Sequence, residues 1–206
     1  MRSLVKRYFG VTKASVCVWY GFSLILALET LQPLYADNVS QLAGRRSTKP
    51  QYNRQGELNF PKGFENWVFV GANLGLQYQD DKGPPLRLFH NVYITPRAFR
   101  HYRRTGTFPE KTMLLIDFYS AETGDPQSVV ADGLFPGREQ SFFFVSVKNR
   151  LRPDGSLTPW AYYVFTSDKP TAAAMDDQSC YQCHLEHGAD DNVFLQFYPI
   201  LQKYHE

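Results

Sequence analysis

From about Leu58 onward, short runs of β-branched and aromatic residues alternate with clusters of Gly, Pro, Asn and Asp along the chain. The runs cover residues 67–70, 86–94, 112–119, 141–147 and 161–165. Apolar runs of this length bounded by turn residues predict strands, and five in succession with no intervening long amphipathic period predict an antiparallel sheet. One interruption has helical character: residues 96–104 begin on Pro96, follow Thr95 as an N-cap residue and stop before Gly106. Residues 172–175 and 193–204 also favour helix, the second bent or broken at Pro199. The fold class expected is therefore α+β, mainly β: an antiparallel sheet with short helices, ending in a helical segment that carries two cysteines.

The two ends of the pattern differ from its middle. Residues 14–28 form an uncharged, mostly apolar run preceded by Arg2, Lys6, Arg7 and Lys13, and Ala36 ends a plausible cleavage stretch. These are the marks of a leader, so residues 1–36 are expected to be a signal peptide and the mature protein to be periplasmic or otherwise exported. The apolar run is shorter than the roughly 20 residues that span a bilayer. Residues 37–57 are polar and irregular, a solvated lead-in, which leaves 58–206 as one globular domain.

Composition adds two exclusions. With 16 Phe and 13 Tyr in 206 residues, the chain has the apolar bulk to fold. Removing the leader leaves 18 Lys and Arg against 19 Asp and Glu, so no excess of positive charge is available to collect phosphates and nucleic acid is not an expected partner.

The chemistry concentrates at Cys180-Tyr181-Gln182-Cys183-His184. In a C-x-x-C-H motif two thiols add to the vinyl groups of one haem while the adjacent imidazole reaches the iron, which makes Cys180 and Cys183 the tethers of a single covalent haem c and His184 its axial ligand. Three other readings apply to the same residues. A zinc site needs a fourth ligand, for which His187 is the candidate. A thioredoxin-like dithiol belongs in a βαβ setting that the surrounding pattern lacks. A plain disulfide suits an oxidising compartment but leaves His184 unused. A sixth iron ligand is harder to find. Met175 lies too close to the attachment in sequence, His101 sits among arginines as a surface residue, and His90 in the second strand stays open. An iron with a free position suits a small gas ligand or redox chemistry more than simple electron transfer.

Beyond the motif, residues 60–64, 67–71, 92–94, 102–108, 146–148 and 197–199 carry a pattern that resembles the cytochrome P-460 family, which includes the β-sheet cytochromes c′. The resemblance implies a mainly antiparallel β fold, a homodimer, and a five-coordinate c-type haem. It also implies a distal pocket. Where hydroxylamine-oxidising members have a cross-linking lysine, a proton-moving glutamate and an arginine, this chain has Ile116, Phe144 and His90. Ile cannot form the cross-link and Phe cannot act as a base. Strand alternation adds Leu114, Phe118 and Phe142 to the same side. The chain then resembles the cytochromes c′-β, which bind nitric oxide or related gases. An oxidoreductase acting on hydroxylamine or nitric oxide, with an unknown redox partner, is the second reading, and an electron-transfer cytochrome with His90 as distal ligand is the third.

Overall fold

Why a continuous apolar stretch such as Met113-Leu114-Leu115-Ile116 belongs to a strand is explained by its place in the sheet. The computed structural model describes residues 48–76, 87–124, 132–149, 158–176 and 180–205, together with Val129 and Gly155. The expected signal peptide, and the lead-in up to residue 47, lie outside the described residues. Five strands, β2 (Val68–Leu74), β3 (Leu88–Ile94), β4 (Met113–Thr123), β5 (Leu134–Lys148) and β6 (Trp160–Phe165), pair in sequence order. All four pairings are antiparallel. A smaller ribbon joins β1 (Leu58–Asn59) to β7 (Thr171–Ala172). The mainly antiparallel fold expected from the pattern is the one observed.

Because side chains alternate across a strand, the registers assign the regularly paired residues to one of two faces, with irregularities between Phe69 and Gly71 and between Asp117 and Ala121. On the first, Ile94, Leu114, Ser146 and Tyr162 form one cross-strand row, and Val92, Ile116, Phe144 and Val164 form the next. Tyr93, Leu115, Val145 and Tyr163 form the corresponding row on the second. Each face has its own core. The second packs with Leu58, Phe64 and Trp67. The first packs with Ala98 and Tyr102 of α1 (Pro96–Thr105) and with Val193, Leu195, Tyr198 and Leu201. Central β4 is covered on both sides, so its sequence is apolar at consecutive positions instead of alternate ones.

The short helices follow their punctuation. Pro96 occupies the first turn of α1, and Gly106 closes it at φ 64° with its N–H donating to Tyr102 O at 2.8 Å. Thr95 stands at the N-cap position without a side-chain capping bond. The C-terminal stretch holds α2 (Tyr181–His187), a 3-10 turn (Leu195–Phe197) and α3 (Pro199–Gln202), broken where Pro199 was expected to break it. This stretch presses onto β2 at Gly71, where a Cβ atom would meet Phe197 O at 2.9 Å. One expected helix is absent: over residues 172–175, Ala172 pairs with Leu58 in the small ribbon and Met175 N donates to Tyr162 O at 2.8 Å. Extended backbone bonds there outweigh the weak helix preference of three alanines.

Candidate functional site

The cysteine-bearing segment begins at Cys180, the N-cap residue of α2, and Cys183 and His184 follow within its first turn and a half. Cys180 and Tyr181 pack against the first-face core, which anchors the helix onto the sheet. Both thiols are free and half-buried. Burial, the Asp176 carboxylate and neighbouring Cys183 push the Cys180 thiol above its ordinary value, the opposite of the thiolate-stabilising setting of a reactive redox dithiol. Met175 lies beside it, its sulfur accepting from Cys180 Sγ at 3.5 Å.

His184 sits between two rings, with centroids 4.4 Å from Tyr162 and 4.5 Å from Phe194. Its Nδ1 is 2.9 Å from Asn192 O. A carbonyl only accepts, so Nδ1 carries the hydrogen and the lone pair of the neutral ring is left on Nε2. Burial pushes the His184 pKa down, partly offset by the bond to Asn192. A neutral imidazole with Nδ1–H tied to a backbone carbonyl is the usual state of a metal-binding histidine. His187, by contrast, has a side chain 60% exposed near Glu186. The Tyr162 hydroxyl is buried with no hydrogen-bond partner among the described residues, and such an orphan costs about 1–3 kcal/mol unless a further group completes it. Two free thiols at the right spacing, a pre-oriented imidazole and this unsatisfied hydroxyl fit a tethered haem.

The six candidate distal residues fall on the same sheet face as Tyr162. His90 lies opposite Phe118, Ile116 lies opposite Phe144, and Leu114 lies opposite Ile94 and Ser146. Four of the side chains form one ring cluster: His90 to Phe118 at 4.5 Å, Phe118 to Phe142 stacked at 4.3 Å, and Phe144 to Phe118 at 5.1 Å. Leu114 and Ile116 belong to the core that also receives Cys180. His101 is apart from them, on α1 among the exposed Arg97, Arg100, Arg103 and Arg104.

His90 is the titratable member of the ring cluster. It is buried, and desolvation lowers its pKa, so the ring is held neutral. Below the ordinary value of about 6.5 the unfolded chain binds the proton that the folded one refuses, and stability falls as pH falls. Urea unfolding midpoints measured at successive pH values should therefore drop more steeply in the wild type than in His90→Gln below about pH 6.5. Parallel curves would mean that His90 is solvated.

Several residues of this site are invisible to motif reading. Asn192 contributes through its backbone, Tyr162 and Phe194 through ring contacts, and Asp191 and Lys148 through an ion pair that joins β5 to the segment after α2. The Asp191-Asn192 dipeptide is a turn signal, but nothing in a single sequence says which strand holds it.

No curated protein matches the chain. A family model described as cytochrome P460 matches residues 61–195, a span that includes the whole sheet, α2 and all the residues proposed to bind haem, and the chain belongs to the cytochrome P460 family.

Proposed function

We propose that this chain is an exported mono-haem c-type cytochrome of the c′-β kind, whose five-coordinate iron binds a small uncharged gas ligand such as nitric oxide. Family membership implies the c-type haem. Cys180 and Cys183 would tether it, and His184 Nε2 would bind the iron. When bound, haem supplies both ligand binding and redox chemistry. The protein acts as a homodimer outside the cytoplasm after loss of residues 1–36.

The observation that carries the ligand class is the pairing of Ile116 with Phe144 in a cluster completed by Phe118 and Phe142. These side chains make an apolar surface, with Phe118 buried and Phe144 exposed, and offer no proton acceptor. Nitric oxide needs no proton transfer to bind and is favoured in a dry, apolar setting. His90 supports the second reading, since a buried neutral imidazole can act as a base or as a sixth ligand.

Visible spectra of the purified protein test this. The ferric form should be high-spin, and the ferrous form should shift stoichiometrically on titration with nitric oxide. A low-spin ferric spectrum that becomes high-spin in His90→Ala would instead support an electron-transfer cytochrome with His90 on the iron.

A further inference from the structure

We propose that Lys148 is a positioning residue for His184, acting through Asp191 and the backbone carbonyl of Asn192; this rests on His184 being the axial ligand. Lys148 ends β5 and is only 9% exposed. An ammonium group removed from water is costly unless it is paired and hydrogen-bonded. Its Nζ donates to Phe108 O at 2.8 Å and pairs with the carboxylate of Asp191. The other oxygen of that carboxylate accepts from Trp160 Nε1 at 3.3 Å. Lys148 and Trp160 face each other across β5 and β6, so both groups gripping Asp191 belong to the sheet.

What they grip is a strained turn. Asp191 and Asn192 have φ of 45° and 60°, and Val193 N donates to Asp190 O at 2.8 Å around them. Two successive positive φ angles make the two-residue turn of a tight hairpin, tolerated by Asp and Asn better than by most side chains. Such backbone persists where its surroundings over-determine it. Gly188 adds a second constraint, since a Cβ there would lie 2.8 Å from Asn192 C.

The fixed turn presents Asn192 O to His184 Nδ1 at 2.9 Å. Donation from Nδ1–H gives the imidazole more electron density to share through Nε2, which strengthens its bond to a metal and favours the higher oxidation state. Lys148 thereby sets the orientation and donor strength of His184 without touching it.

Resonance Raman and redox titration of the holoprotein test this in Lys148→Met, Asp191→Asn and the double variant. The iron–histidine stretching band of the ferrous form should move to lower frequency and broaden in both single variants, and the midpoint potential should rise. The double variant should shift no further than the larger single, because both break one chain of contacts. Lys148→Arg should restore the band towards wild type, and Lys203→Met, an exposed change, should leave it in place. If Lys148→Met fails to fold, Asp191→Asn decides. An unmoved band in haem-bearing variants, even with lowered thermal stability, overturns the proposal and leaves the ion pair as a fold staple. A wild-type protein without covalent haem overturns the axial role of His184 first, and this proposal with it.

Discussion

Replacing both Cys180 and Cys183 by alanine should abolish covalent haem altogether. Matured with a cytochrome c assembly system, the wild type should keep its haem through acid and organic extraction, and the double variant should release all of it to the solvent phase. The thiols occupy the N-cap and first turn of α2, one turn of helix that is itself seated on the first-face core through Cys180 and Tyr181. Each would form one thioether bond, so either single variant should keep the haem attached through the remaining sulfur. His184 lies in the same turn, and its bond to Asn192 involves neither thiol. The double variant can therefore still bind haem non-covalently, and the haemochrome spectrum of the denatured, extracted protein is the measurement that separates attachment from ligation. A wild-type protein that is colourless and binds zinc would replace the haem reading with a metal cage.

The features legible in the sequence are those in which local chemistry and tertiary position agree. The strands were marked by apolar runs between turn residues, α1 by Pro96 and Gly106, and the candidate attachment site by the spacing of Cys180, Cys183 and His184. The candidate distal side chains could be grouped because strand alternation is geometric, and once Ile116 is assigned to a face, Leu114 and Phe118 must share it. Non-local partners were illegible. The helix expected over residues 172–175 failed because Leu58, more than a hundred positions earlier, supplies a strand partner that local propensity does not contain. Lys148 reads as an ordinary charged strand end until the fold brings Asp191 to it. The orientation of His184 depends on a backbone carbonyl, and a carbonyl has no residue type to recognise.

Hydroxylamine should be a poor substrate of this protein, and nitric oxide should be a good ligand. Oxidising hydroxylamine removes protons together with electrons, and a positioned general base typically contributes about 10² to 10⁴-fold to such a step. The position at which hydroxylamine-oxidising relatives are expected to carry glutamate is Phe144, whose ring lies against Phe118 and Phe142. Its cross-strand neighbour Ile116 cannot form the porphyrin cross-link. Steady-state assays with hydroxylamine and an electron acceptor should thus give rates near background, while nitric oxide titrates the ferrous form to completion. Phe144 is 41% exposed, so a carboxylate placed there would not carry a full burial penalty. Phe144→Glu should accordingly raise turnover, within the about 10² to 10⁴-fold that a base supplies. His90 is the residue able to reverse this expectation, because its neutral imidazole is the one proton-accepting side chain in the ring cluster, even though desolvation makes it a weaker base than a solvated histidine. Robust wild-type turnover that disappears in His90→Ala would identify that imidazole as the base and make the protein an oxidoreductase.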